Sequence, residues 1–203
     1  ESNSNIGKDL GEMAGEKRMG VILSSKLSDL PKADVLIDFS EAKFSLHSVE
    51  YAKNHNTALV LGTTGHQEKD LSNIEEASKV IPLLNAPNTS MGIAYLKKVI
   101  DLTSDSLSYF ENFQILEKHH KDKKDLPSGT SLDLANFLSE RIVREDPINI
   151  ESERTGDVVG EHKIILSNNQ ERIELSHKAL DRSIYAKGAL IGASWLQSKP
   201  NGL

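Results

Sequence analysis

The sequence predicts an α/β fold, a parallel sheet covered by helices in its first part, followed by an α+β part. Three observations lead there. Short apolar runs alternate with longer stretches of helical period between residues 35 and 84, the pattern of βαβ units. From Met91 a long amphipathic segment and a single strand frame a basic loop. After Pro147 the signals are those of β-strands, until an Ala- and Gly-rich helical stretch closes the chain.

Taken in order, Val35-Leu36-Ile37-Asp38-Phe39 is a continuous buried-type strand. A helix follows over Phe44 to His55, with Phe44, Leu46, Val49, Tyr51 and Ala52 clustered along it. Ala58-Leu59-Val60-Leu61 is the next strand and ends in Gly62-Thr63-Thr64-Gly65. A polar helix from about Gln67 to Lys79 leads to the strand Ile81 to Leu84. This succession reads as part of a doubly wound nucleotide-binding sheet, and a turn at a strand end is where such sheets bind ligands.

The second part opens with an amphipathic helix carrying Ile93, Leu96, Val99, Ile100 and Leu102, then a strand from Phe113 to Leu116. A helix is expected from Ser128 to about Arg144, and strands over Val158 to Leu166 and Arg172 to His177. Asn168-Asn169-Gln170 between them suits a hairpin, because Asn tolerates positive φ. The last helix, Ile184 to Leu196, has the small residues that close packing on a sheet requires.

Composition narrows the function. A net charge of −6 gives no basic footprint for nucleic acid. The chain has no cysteine, which excludes disulfides, zinc-thiolate sites and thiol catalysis. No apolar run reaches the roughly 18 residues of a membrane span, and Glu1-Ser2-Asn3-Ser4-Asn5 does not resemble a signal segment. A cytoplasmic protein without membrane or nucleic-acid partners is the default expectation.

The densest chemistry lies in Glu117-Lys118-His119-His120-Lys121-Asp122-Lys123-Lys124-Asp125-Leu126-Pro127-Ser128-Gly129-Thr130. Lysines bind carboxylates as point charges, and a helix starting at Ser128-Gly129-Thr130 offers free N–H groups and a positive dipole end. Histidine delivers a proton near neutral pH. Together these make an acid site for an anion. The plain alternative is a solvated basic loop with an incidental His-His pair. A metal site is a further alternative, since Glu117, His119, His120 and Asp122 are ligand types. Adjacent histidines in a strand point to opposite faces, however, and neighbouring ammonium groups oppose a cation; no metal is expected.

The stretch Glu-x-His-His-x-x-Lys-x-Asp-x-Pro-Ser-Gly-Thr resembles the signature of the 4-hydroxy-tetrahydrodipicolinate (dihydrodipicolinate) reductases. Ala86-Pro87-Asn88-Thr89-Ser90-Met91-Gly92, Gly156 to His162, Glu171 to Ala179 and Gly188 to Leu196 also match that family, over nearly the whole chain. The resemblance implies a Rossmann-type cofactor domain, residues 1–89 plus 180–203, with an inserted α+β substrate-binding and tetramerisation domain, residues 90–179. It implies an NADH- or NADPH-dependent reduction of a dicarboxylate in diaminopimelate and lysine biosynthesis, by a homotetramer. The proton donor falls on His119 and the catalytic lysine on Lys123. Substrate contacts fall on His120, Gly129 and Thr130, and cofactor contacts on Gly62, Thr63, Thr64, Ala86, Pro87, Asn88 and Thr89. His162 and His177 are expected to be structural.

Two positions depart from the family, Asp122 where some members are basic and Thr89 where some are aromatic. The glycine-rich strand-turn that opens the family and its usual tail are missing, so the sequence is expected to be part of a longer chain. Gly15 to Gly20 imitates the end of that glycine fingerprint, but no strand precedes it and no helix follows, and it is set aside as a decoy. Two other readings remain: another two-domain dehydrogenase of aspartate-semialdehyde or homoserine type, and a non-catalytic nucleotide-binding or oligomerisation module.

Overall fold

The computed structural model describes residues 4–142 and 146–202. Its helices are α1 (Leu10–Met13), α2 (Ala42–His55), α3 (Glu68–Ser78), α4 (Met91–Leu102), α5 (Gly129–Ser139) and α6 (Ser183–Leu196). Its strands are β1 (Val35–Asp38), β2 (Ala58–Leu61), β3 (Leu83–Asn85), β4 (Asn112–His119), β5 (Asn149–Arg154), β6 (Gly160–Ser167) and β7 (Arg172–Ala179). They form two sheets, β1-β2-β3 and β5-β4-β6-β7.

The first sheet is wholly parallel, with Val35 opposite Ala58 and Leu59 opposite Leu83. All four residues of β2 are buried, because both of its faces are covered. Leu59 and Leu61 pack with Val49 and Ala52 of α2 and Ile74 and Ala77 of α3. Ala58 and Val60 pack on the other side with Ala193 and Leu196 of α6. A continuous apolar run is what a strand buried on both faces needs. Asn56, at φ 51°, takes the left-handed cap that ends α2, and a Gln67–Asp70 capping box starts α3.

In the second sheet β4 pairs parallel with β5 and antiparallel with β6, which pairs antiparallel with β7. One face lies on α4 and α5, where Ile93, Leu96, Ile100, Phe113, Ile115, Leu134, Leu138 and Ile164 form the core. The opposite face carries cross-strand ion pairs, Lys118–Glu153 at 2.8 Å, Lys163–Glu174 at 2.6 Å and Lys178–Glu161 at 2.5 Å.

Several boundaries differ from expectation. Strand β5 was not foreseen; Asn-Ile-Glu-Ser-Glu-Arg is an edge strand with one apolar residue, held by pairing with β4 and not by its own hydrophobicity. The strand at Phe113 runs on to His119, because polar Glu117 and His119 continue its buried face. Helix α5 stops at Ser139, where Arg141 turns back to the Phe137 carbonyl at 2.9 Å and to Asp101 at 3.1 Å. The expected end at Arg144 falls on residues 143–145, outside the described residues. Gly15 to Gly20 forms a loop, and its Met19 and Gly20 N–H groups donate to the buried Asp9 carboxylate at 3.0 and 2.6 Å. No helix among the described residues is long and apolar enough to cross a membrane.

Helix α6 touches the Ala86–Thr89 segment through a glycine. A Cβ on Gly188 would stand 1.7 Å from the Thr89 carbonyl oxygen, so any side chain must push the helix off that segment. Gly188→Ala is expected to cost about 1 to 3 kcal/mol, the usual penalty of overpacking. Chemical denaturation measures it, and an unchanged midpoint would mean that the helix sits farther out.

Candidate functional site

The site is built on one polar row across the second sheet. Along the buried face of β4 the residues are Phe113, Ile115, Glu117 and His119, apolar far from the cleft and polar near it. The register sets Ser152, Glu117, His162 and His177 side by side on four strands, and pairs His119 with Arg154.

The Glu117 side chain is fully buried, yet its oxygens are well supplied with donors. Oε1 accepts the Ser128 N–H at 3.0 Å and Arg154 Nη2 at 2.9 Å, and Oε2 accepts the Ser131 hydroxyl at 2.7 Å. Burial works against ionisation, but hydrogen bonds from Ser128, Ser152, Ser131 and Arg154 overcome it and hold the carboxyl at about 2. Ser128 is also the N-cap of α5, its hydroxyl accepting the Ser131 N–H at 3.2 Å. Arg154 reaches on to the Asp125 carbonyl at 2.6 Å, tying β5 to the basic loop.

Above this row sits His119. Its Nδ1 lies 3.5 Å from Glu117 Oε2, in ion-pair range but without hydrogen-bond alignment, and has no other polar partner among the described residues. Its ring meets His162 edge to face at a centroid distance of 5.0 Å. Gly160 leaves the space the ring needs, since a Cβ there would be 3.1 Å from Nε2. Burial lowers the His119 pKa, the Glu117 charge pulls it back up, and Lys123 and Arg154 push it down again. His162, held at about 4 first by burial and then by His119, is neutral at physiological pH. His177 completes the row, with Nε2 3.2 Å from the Ser90 hydroxyl at the start of α4.

Glu117, His119 and His162 bring potential metal-ligand atoms within 4.8 Å of one another. Arg154 already balances that carboxylate, both of its oxygens accept protein hydrogens, and Lys123 acts on the same imidazole. A divalent cation would add charge to a cluster that is already compensated.

The cleft beside His119 has a volume of about 390 Å³ and joins the two sheets. Gly62, Thr64, Pro87, Asn88 and Thr89 line it from the first, and His119, His120, Lys123 and Thr130 from the second. Asn88 Nδ2 donates to Thr130 Oγ1 at 2.8 Å, so a hydrogen bond joins the two walls. Lys123 also pairs with Asp125 at 2.7 Å. Three expected residues lie outside the lining: Thr63, Ala86 and Gly129. Thr63 turns its hydroxyl to the buried Asp38, and Thr89 turns its own to the Tyr185 carbonyl at 2.9 Å. Neither hydroxyl is therefore free to meet a ligand in the cleft.

Sequence reasoning missed Asp38, Phe39, Arg154, Val159, Arg182 and Tyr185. Phe39, Val159, Arg182 and Tyr185 line the cleft. Asp38, at the end of β1, accepts from the Ser40 N–H and from the hydroxyls of Ser40, Ser48 and Thr63, fixing the Gly62–Gly65 turn. An acid ending an otherwise apolar run was a legible signal for Asp38. Arg154 had none, because its strand was not recognisable.

A dinucleotide fits what is present. The turn after β2 and the segment after β3 both lie at the carboxyl ends of parallel strands, where such ligands bind. Gly62 packs so close that a Cβ would be 2.5 Å from the Phe39 ring, leaving bare backbone at the cleft edge.

The chain is similar to known proteins along nearly all of its length. The family model described as dihydrodipicolinate reductase, N-terminus, matches residues 1–89, and the C-terminus model of the same family matches residues 92–203. The 4-hydroxy-tetrahydrodipicolinate reductase of Colwellia psychrerythraea is 33% identical, over 99% of this chain and 82% of its own length. That of Buchnera aphidicola subsp. Cinara cedri is 36% identical, over 93% and 76%. The dipicolinate-bound dihydrodipicolinate reductase from Paenisporosarcina sp. TG-14 shares the fold, with a TM-score of 0.73 at 21% identity over 97% of this chain and 84% of that one.

Acid stability follows from the buried row. The folded pKa of His162, about 4, lies below its ordinary 6.5, so the unfolded chain binds the extra proton between those values. Glu117 likewise contributes stability above about 4.5 that is lost as pH falls to about 2. Stability is expected to be flat above pH 6.5 and to fall from there to pH 4, by on the order of 3 kcal/mol from His162. Melting curves against pH read the slope, and His162→Gln should flatten its upper part. An unchanged slope in that variant would assign the acid sensitivity to other groups.

Proposed function

The chain belongs to the dihydrodipicolinate reductase family, NAD(P)H-dependent oxidoreductases that make tetrahydrodipicolinate from 4-hydroxy-tetrahydrodipicolinate in diaminopimelate and lysine biosynthesis, and on that premise we propose how its residues divide the work. Residues 1–89 with 180–203 form the cofactor side, and residues 90–179 the substrate side. The 4-hydroxyl of the substrate must leave as water, and NADH or NADPH, which would be held along Gly62, Thr63, Thr64, Ala86, Pro87, Asn88 and Thr89, would supply the hydride to C4 of the dehydrated ring. His119 gives the proton that completes the reduction. Lys123, His120 and the start of α5 at Gly129 and Thr130 hold the carboxylates, with charge from the lysine and N–H groups from the helix end. These donors also stabilise the anionic enamine that develops before the proton arrives.

A single observation carries the reading. His119 and Lys123 face Gly62, Thr64 and Asn88 across one cleft, and the Asn88–Thr130 hydrogen bond joins its walls. A proton donor and an anion site thereby stand against the cofactor loops, the arrangement that reducing a bound dicarboxylate requires. A merely solvated basic loop would not line a cleft together with the strand-end turns of the other sheet. The dipicolinate of the Paenisporosarcina relative is a dicarboxylate, in keeping with the charge of Lys123. Assembly as a homotetramer through the second sheet, and a cytoplasmic location, complete the proposal. The ion pairs on that sheet's outer face would make such assembly sensitive to salt.

His119→Gln is expected to lower kcat by roughly 10²- to 10⁴-fold, the range for losing a general acid, with cofactor affinity unchanged. Steady-state kinetics on the folded variant decides this, and an unaltered kcat would remove His119 from the chemistry. Lys123→Ala should raise the inhibition constant of pyridine-2,6-dicarboxylate at least about tenfold, the loss of one charge-assisted hydrogen bond. Equal inhibition of variant and wild type would mean that Lys123 does not touch the carboxylates.

A further inference from the structure

The polar row contains a group that the proposed chemistry does not yet use. Glu117 is a buried anion two residues before His119 on the same face of β4, and its Oε2 is a polar atom 3.5 Å from the unpartnered His119 Nδ1. We infer that Glu117 is a positioning residue, the carboxylate that holds the proton of His119 on Nδ1 and so leaves Nε2 to exchange the catalytic proton. The inference rests on the reading of His119 as the proton donor.

Consider the two neutral tautomers of the ring. With the proton on Nε2, the Nδ1 lone pair would face a carboxylate oxygen across 3.5 Å of buried space, and two acceptors would oppose each other. With the proton on Nδ1, the N–H faces an anion in ion-pair range, an attraction that a small turn of the ring would make a hydrogen bond. The second tautomer is favoured. Catalytic hydrogen bonds are often long before substrate binds and shorten in the complex.

The carboxylate itself cannot drift. The Ser128 N–H, the Ser131 hydroxyl and Arg154 hold it from three elements, the N-cap of α5, α5 itself and β5. Ser128 and Ser131 flank Gly129 and Thr130, so the same carboxylate anchors the proton donor and the proposed anion-binding helix start. Position of the acid and position of the substrate carboxylate are therefore set by one group.

The charges facing His119 are Glu117 on its own strand, Arg154 on β5, Lys123 and Asp125 from the loop, and Arg182 across the cleft; His162 on β6 faces it as a neutral ring. Of these, Glu117 is the anion nearest the imidazole in the buried row. Removing its charge while keeping its shape lowers the affinity of His119 for a proton. Because a general acid must be protonated, activity is lost as pH rises through that pKa, and the loss should begin at lower pH in the variant.

The test is the pH profile of kcat/KM for wild type, Glu117→Gln, Glu117→Asp and His119→Gln, on the full chain with NADH or NADPH. In Glu117→Gln the alkaline limb is expected to move down by about one unit or more, the usual effect of losing an opposite charge at this range. Cofactor dissociation constants should stay within about twofold, since the Glu117 carboxylate bonds Ser128, Ser131 and Arg154 and none of the proposed cofactor residues, and Glu117→Asp should restore much of the limb. An alkaline limb at the wild-type pH in a folded Glu117→Gln would overturn the inference. Wild-type activity in His119→Gln would instead overturn the reading beneath it. Should Glu117→Gln fail to fold, ¹⁵N NMR of the His119 ring in the wild-type protein reads the tautomer directly. A proton on Nδ1 supports the inference, and a proton on Nε2 in the neutral ring contradicts it.

Discussion

A carboxylate with no access to water, Glu117, is the constraint on which the cleft side of the second sheet depends. Burying such a charge is costly unless donors replace its hydration. Here Ser128, Ser131 and Arg154 do so from the loop-to-helix junction, the helix and the edge strand. Two of these parts have few apolar contacts to set their place near the cleft: β5 is poor in apolar residues, and the loop between His120 and Pro127 is mostly charged. Removing one partner of such a group costs far more than the pair contributes net, so the network keeps its parts together as a unit.

The first sheet repeats the device on a smaller scale. Asp38 ends β1 as Glu117 nearly ends β4, and it collects the hydroxyls of Ser40, Ser48 and Thr63 around the turn that follows β2. Burial works against its ionisation, and the hydrogen bonds from Ser48, Thr63 and Ser40 still bring its pKa below the ordinary carboxylate value. Two strand-end carboxylates thus shape the two walls of one cleft. The walls meet at Asn88 and Thr130, and Gly188 lets α6 press against the Thr89 carbonyl from behind.

The first sheet was legible in the sequence because burial on both faces writes itself as continuous apolar runs. Ala58 to Leu61 appeared at the expected bounds, and α2 and α4 within a residue or two. The second sheet was less legible for a physical reason. Its strands near the cleft replace apolar residues with Glu117, His119, His162 and His177, so hydrophobic alternation stops where the site begins. Strand β5 was lost outright, and Arg154 with it. Residues named through the loop motif, His119, His120, Lys123 and Thr130, do reach the cleft. The hydroxyls of Thr63 and Thr89 go to Asp38 and to the Tyr185 carbonyl, a detail that the turn sequences do not carry. Arg182 and Tyr185 entered only through the fold, since α6 brings them from the far end of the chain.

What joins these observations is the claim that one buried carboxylate positions both the acid and the anion-binding helix end. A crystal structure of the complex with reduced cofactor and pyridine-2,6-dicarboxylate tests it most directly. The account predicts a ligand carboxylate at the N–H groups of Gly129 and Thr130, and His119 Nδ1 drawn to within about 3.2 Å of Glu117 Oε2, ordinary hydrogen-bonding range. A dicarboxylate seated away from the start of α5, or a His119 ring turned so that Nδ1 leaves Glu117, would contradict it.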